Sequence, residues 1–279
     1  MPGIAFHLFL PQMRLSLDAI VERARAAEAA GFEGIALMDH LVPPMADDQP
    51  MYEAMTTATW VAAHTERLRI GHLVLCDAMR EAPVLAKQAV TIDHASGGRF
   101  ELGLGWGSVP QELVDFGITD DRPPARAARM GETLATLREM WGGRQQPTPL
   151  TRIPIVIGGA GPRTLAMVAE HADWWNVQLN LLDQLEEKRA AAGNARVSVQ
   201  LMVALVLNEA ERAQVTERAE RRFGRMGGGM AIGTASELVD QLGAWGDRGV
   251  ERVYTWFADF APPETLEAFG AEVIPGVSP

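Results

Sequence analysis

Apolar residues along the chain alternate between two patterns: short continuous runs, and longer stretches in which they recur at three- and four-residue spacing. The runs are too short for typical helices and predict buried strands, while the spaced stretches predict helices with one apolar face. The first run, residues 4–9, is interrupted only by His7. Ser16 can cap a helix whose face carries Leu17, Ile20, Val21 and Ala24, and Gly31 supplies its left-handed stop. Residues 34–38 form a second strand, and after a Pro- and Asp-rich loop over 41–49, Pro50 opens a helix with Met51, Met55, Ala58 and Ala62 inward.

Residues 69–75 read as a third strand, and Pro83 opens a helix bearing Leu85, Ala89 and Ile92, stopped by Gly97-Gly98. Residues 99–104 are a fourth strand, followed by a long irregular connection to about Pro124, of the kind that usually serves function. Met130, Leu134, Leu137 and Trp141 mark the next helix, and residues 153–157 the fifth strand. Leu165, Val168 and Ala169 face inward from the helix after it, 173–177 is the sixth strand, and 181–192 is helical. Residues 197–207, apolar at every odd position, are the seventh strand, and 209–223 a helix. The capping box Thr234-Ala-Ser-Glu237 opens a last helix with Leu238, Val239, Leu242 and Trp245 before the eighth strand, 252–256. Eight strand–helix pairs with crossover-length connections predict a single (β/α)8 TIM barrel over residues 1–279.

Composition narrows the function. A hydrophobic content of 47% in 279 residues supports a large core. The net charge of −11 argues against nucleic acid or an anionic membrane as partner, because both require a basic face, and leaves a small molecule. The only cysteine, Cys76, rules out an intramolecular disulfide and a cysteine-built metal site. With no basic leader before an apolar stretch and no uninterrupted apolar segment of about 20 residues, a soluble, cytoplasmic protein is expected.

Candidate chemistry sits where strands end, because a barrel aims its last strand residues into one mouth. Asp39-His40 follow the second strand, and a carboxylate beside a histidine can set its tautomer for acid–base work. Gly103-Leu-Gly105-Trp106-Gly107 lacks the third glycine of a dinucleotide fingerprint, Ser108 standing there, and suits a floor where a ring approaches the backbone. Gly158-Gly159-Ala160-Gly161-Pro162-Arg163-Thr164 joins a strand to a helix start, where successive amides and the helix dipole favour an anion. The six histidines show no metal-binding spacing, and no Gly-x-Ser-x-Gly elbow is present.

Taken together, several segments resemble the luciferase-like flavin and deazaflavin oxidoreductases. They are Met38-Asp39-His40, Leu73-Val-Leu-Cys76-Asp77-Ala-Met-Arg80-Glu-Ala-Pro83, and Ser96-Gly-Gly-Arg-Phe-Glu-Leu-Gly-Leu-Gly105-Trp106-Gly107. Glu112 with Phe116-Gly117, Ile157-Gly158-Gly159 with Gly161, Ala172-Asp173-Trp174-Trp175-Asn176, and Gly233-Thr234 complete the set in the family's order. The resemblance implies a barrel, commonly a homodimer, that binds coenzyme F420 or FMN in its mouth. Its implied contacts are Asp39 to the ribityl chain or ring, His40 facing substrate, and Gly158, Gly159 and Gly161 holding phosphate, with Arg163 and Asn176 assisting.

Leu75, Cys76 and Asp77 would form a bulge against the ring, often with a cis peptide, and Gly105, Trp106 and Gly107 its floor. The Asp-His and Val-Leu-Cys patterns look closer to the F420 branch, implying hydride transfer to or from a small substrate with His40 moving the proton. A rim of arginines such as Arg80, Arg144, Arg152 and Arg163 would suit that coenzyme's glutamyl tail. Trp106 stands where the sugar-phosphate dehydrogenase members carry a catalytic carboxylate, which argues against that substrate, and Asp77 stands where relatives often have Asn. The alternatives are an FMN-dependent monooxygenase using dioxygen with a reductase partner, and a barrel without catalysis.

Overall fold

The computed structural model describes residues 3–44, 46, 48–226 and 229–277, and the side chains of these except 179 and 180. Positions 45 and 47 of the loop expected over 41–49, and the first two residues of the chain, lie outside them.

In chain order the elements are β1 (Ala5–Phe9), α1 (Leu17–Ala29), β2 (Gly34–Leu37), α2 (Ala54–Ala63), β3 (Arg69–His72), β4 (Leu75–Cys76) and α3 (Ala82–Ser96). β5 (Leu102–Gly105), α4 (Pro110–Asp115), α5 (Pro123–Glu139), β6 (Ile155–Gly158), α6 (Pro162–His171) and β7 (Trp174–Gln178) follow. The chain continues through α7 (Leu185–Arg189), β8 (Arg196–Leu205), α8 (Arg212–Phe223), β9 (Met230–Gly233), α9 (Ala235–Asp247), β10 (Arg252–Phe257), α10 (Pro263–Glu272) and α11 (Ile274–Val277).

The strands pair in parallel in the order β3-β2-β1-β10-β8-β7-β6-β5-β4. Ile70 and Phe100 bridge the two ends, Ile70 N donating to Arg99 O and Glu101 N to Ile70 O, so the sheet closes into the expected (β/α)8 barrel. β9 lies off this circle, paired to the upper half of β8 from Met202 to Leu205. That strand is missing from the sequence reading because four residues between a helix and a capping box carry too little periodicity.

Alternation along each strand divides its residues between helices outside and barrel interior. On β1, Phe6 and Leu8 join the outer core; Phe6 packs edge-on to Phe269 of α10 at 5.4 Å, and Phe269 stacks on Phe32 at 5.6 Å. Each such fully buried aromatic contributes about 1.5–3 kcal/mol over its exposed state. At the N-terminal end, the interior is closed by a buried charge cluster: Arg252 Nη1 lies 2.7 Å from Glu101 Oε2, Arg69 Nε also donates to Glu101, and Arg252 stacks 3.7 Å from Trp174. Tyr254 OH adds an acceptor for Arg252 at 3.0 Å. With that end plugged, ligand space is left at the C-terminal mouth.

Several boundaries shift. The second helix begins at Ala54, not Pro50, because the Glu53 carboxylate caps it through Met55 N and Thr56 N, while Met51 bridges Met13. The third strand is broken between His72 and Leu75, and the fourth begins at Leu102, with Arg99 instead bonding the carbonyls of Ala62, Thr65 and Leu68. Residues 181–192 are mostly 3-10 turns around a single short α-helix. The capping box at Thr234 forms as expected.

Candidate active site at the barrel mouth

β2 ends at Leu37, and the chain leaves the barrel through Met38, Asp39 and His40. His40 pairs not with its neighbour Asp39 but with Glu112: Nδ1 lies 2.8 Å from Oε2. The other carboxylate oxygen accepts from Leu41 N at 2.6 Å and Val42 N at 3.3 Å, so one buried carboxylate both orients the ring and fixes the loop beyond it. α4, which carries Glu112, lies inside the long connection that sequence left irregular. A proline two residues before an acidic residue was the available signal for a short helix there.

Asp39 is engaged elsewhere. Arg80 grips it, Nη2 donating to Oδ1 at 2.8 Å and Nη1 to Oδ2, and Cys76 N donates to Oδ2 at 2.7 Å. Arg80 also reaches Glu53 at 3.1 Å. The Asp39 carboxylate therefore ties the end of β2 to the end of β4. Burial and the Asp39 charge push the Cys76 thiol up to about 11, which keeps it protonated at neutral pH. Burial likewise raises Asp77, against the pull of Arg129 at 3.3 Å, which weakens the negative charge that this residue brings where relatives often have Asn.

The break between β3 and β4 holds a non-proline cis peptide at Leu73–Val74, three residues earlier than the Cys76-Asp77 position the resemblance implied. This bulge explains the glycines opposite. A Cβ on Gly103 would lie 1.8 Å from His72 O, and one on Gly105 2.6 Å from Val74 Cγ2. Gly107, at φ +90°, faces Cys76 Sγ and Leu113. Gly103 and Gly105 thus admit the bulge rather than lying bare as a floor, and the half-buried Leu73 and Val74 side chains present the apolar surface instead. Trp106 Nε1 reaches Thr164 Oγ1 at 3.4 Å, linking this loop to α6.

At the end of β6, Gly159 adopts φ +110° and its carbonyl accepts from Trp175 Nε1 at 2.8 Å. Gly161 occupies the N-cap of α6 with no side chain bonding the first-turn amides and open space beside it, and Arg163 lies exposed in that turn. Uncapped amides at a helix start are anion donors. Asn176 sits within β7 rather than at its end, facing inward, where Oδ1 accepts from Ser198 Oγ at 3.2 Å.

The arginine rim does not assemble: Arg80 is committed to Asp39, while Arg144 pairs with Glu139 and Arg152 with Asp173 ahead of β6, toward the N-terminal face. A cleft of about 490 Å³ at that face, lined by Arg138, Trp141, Arg152 and His171, contains none of the mouth residues. Among the described residues no group of three His, Cys, Asp or Glu side chains is placed to hold a metal, and no helix is long and apolar enough to cross a membrane.

Comparison with known proteins agrees with this architecture. An F420-dependent glucose-6-phosphate dehydrogenase of Microbacterium testaceum is 28% identical over 202 residues, covering 63% of this chain and 60% of that protein. The chain spans about half to two-thirds of the length of the curated relatives it matches. An F420-dependent secondary alcohol dehydrogenase in complex with an F420-acetone adduct superposes with a TM-score of 0.81 at 17% identity over 99% of both chains. The EDTA monooxygenase of Chelativorans sp. BNC1 superposes at 0.80 with 15% identity, over 99% of this chain and 95% of that one. The sequence model of the luciferase-like monooxygenases matches residues 4–227, and the chain belongs to that family.

Proposed function

We propose that the protein is an F420-dependent oxidoreductase that moves a hydride between the coenzyme and a small organic substrate in the barrel mouth. The observation that carries this reading is the His40–Glu112 pair, a histidine oriented by a buried carboxylate at the rim of an apolar mouth. The F420-dependent names of the sequence relative and of a superposed structure support the choice of coenzyme. The uncapped turn at Gly159 and Gly161 fits a phosphate, with Arg163 beside it, and Leu73 and Val74 fit the face of a flat ring. When bound, F420 supplies hydride chemistry at a ring carbon.

The chain's residues do the rest. His40 gives or takes the accompanying proton at Nε2, since Nδ1 is held by Glu112. That carboxylate fixes the ring's orientation and leaves Nε2 as the nitrogen that meets the substrate. Asp39 and Arg80 hold the ends of β2 and β4 in register, and so act on geometry rather than on the proton.

The test is anaerobic incubation with F420 and a panel of secondary alcohols, and with reduced F420 and the matching ketones. Loss or recovery of the coenzyme's visible absorbance supports the reading. Turnover seen only with reduced FMN and dioxygen would contradict it and favour a monooxygenase.

A further inference from the structure

Arg222, in the last turn of α8, folds over the C-terminal end of β10. Its Nη1 donates to Phe257 O at 2.9 Å and Ala258 O at 3.0 Å, and its guanidinium carbon lies 3.5 Å from the centre of the Phe260 ring. Nη2 is shielded from solvent and meets no acceptor among the described residues. Asp259, the nearby carboxylate, is turned to other work: Oδ1 accepts from Ala261 N at 3.0 Å and Oδ2 from Thr265 Oγ1 at 2.7 Å. Burial brings the guanidinium down to about 10, with the Asp259 charge opposing and the Arg14 charge adding to the fall.

Trp256 stands beside it, its ring 5.8 Å from the guanidinium carbon. Strand alternation turns Trp256 into the barrel above Arg252 and Tyr254, and its Nε1 is also buried without an acceptor. A buried donor left unpaired costs about 1–3 kcal/mol, more when charged, so two adjacent ones at a barrel mouth call for a shared acceptor. The carboxylates of the other wall already have partners, Asp39 in Arg80 and Glu112 in His40. At Arg222 a carboxylate lies near, yet Nη2 is left without an acceptor among the described residues.

We propose that Arg222 and Trp256 bind an anionic oxygen group, a carboxylate, on the substrate. This rests on the mouth being the reaction site, as proposed above. Trp256 packs edge-on to Phe9 at 5.2 Å, and Phe9 lies on β1, between β10 and the β2 strand that leads to His40. Neighbouring strands are about 4.8 Å apart, so the carboxylate would sit roughly 10 Å across from His40. Phe9, Met38, Leu73 and Trp256 form an apolar cluster along that path. The substrate class is therefore a carboxylic acid with an apolar body whose reacting carbon lies toward the far end. The glycine turn at β6 is three strands from β10, which separates this anion from the coenzyme's phosphate.

Both donors are shielded, so the ligand has to part the side chains above them as it enters. Calorimetric titration of the apoprotein with benzoate and with benzyl alcohol reads the site without turnover. Benzoate should bind at least tenfold tighter than the alcohol. Arg222→Met should weaken it by roughly 10- to 100-fold, the range for a charge-assisted hydrogen bond, with Arg222→Lys and Trp256→Phe falling between.

F420 affinity, titrated separately, should be unchanged in Arg222→Met, so the coenzyme assignment and the carboxylate assignment can fail independently. Equal benzoate affinity in wild type and Arg222→Lys and Trp256→Phe, or no benzoate binding by the wild type, overturns the proposal even if Arg222→Met does not fold. A loss of F420 affinity with benzoate binding intact also overturns it, and assigns Arg222 to the coenzyme's anionic tail.

Discussion

Replacing Arg80 by Met separates two accounts of Asp39: a coenzyme contact held in readiness, or a buried half of a structural ion pair. Asp39 is 6% exposed, and its oxygens are bound by both Arg80 nitrogens and by Cys76 N. Removing the guanidinium leaves that carboxylate out of water with one donor, and breaking a buried pair from one side costs about 3–5 kcal/mol. Glu53 also loses a partner, but its side chain is half exposed, so this adds at most about 1 kcal/mol. At about 2–4 °C of melting temperature per kcal/mol, Arg80→Met should melt roughly 10 °C below wild type.

Asp39→Asn/Arg80→Met removes both charges and should recover a substantial part of that loss, giving a coupling energy of about 1.5–3 kcal/mol in a cycle of four proteins. Thermal unfolding with urea titration measures it. If the two substitutions simply add, or Arg80→Met melts with the wild type, the pair does not hold β2 to β4 and the reasoning fails.

His40→Ala should lower turnover by about 10²–10⁴-fold while sparing coenzyme affinity, and an unchanged kcat would remove it from the mechanism. Glu112→Gln should lower kcat in the same direction by less, and adding it to His40→Ala should cost little more, since residues acting as a unit are not additive. Gly103→Ala places a methyl against the His72 carbonyl and should destabilise by more than the about 1–3 kcal/mol of ordinary overpacking, whereas Gly105→Ala meets a side chain that can shift and should cost less; equal unfolding midpoints for the two would contradict this. Burial lowers His72 from 6.5 to about 4. The unfolded chain therefore binds the extra proton first as pH falls, so stability is full above pH 6.5 and declines toward pH 4, by about 2 kcal/mol at pH 5 from this group. His72→Gln should show a shallower decline between pH 7 and 5 by urea titration, and an identical slope would exclude the assignment.

The barrel was legible because its signals are local. Buried runs such as 197–205 and apolar faces such as that of α1 repeat at periods the chain carries in itself, and Gly97 and Thr234 mark helix ends by their own chemistry. The position of Asp39-His40 at a strand end was legible for the same reason. Their partners were not. Adjacency in sequence suggested that Asp39 serves His40, yet Asp39 is held by Arg80, 41 residues on, and His40 by Glu112, 72 residues on. Such pairs depend on which strand ends meet across the mouth, and periodicity does not encode that. The glycines at 103 and 105 were read as a floor where a ring approaches the backbone, and the atoms that approach them here belong to the chain's own bulge. Arg222 gave no signal at all in an arginine-rich helix, because its burial comes from Phe260 and the end of β10.

Fluorescence titration of the apoprotein with F420 and, in parallel, with FMN decides which coenzyme the mouth accepts. Saturable quenching by F420, weakened when Gly161→Asp sets a carboxylate at the start of α6, is the predicted result. Preference for FMN, or binding of neither, would contradict it.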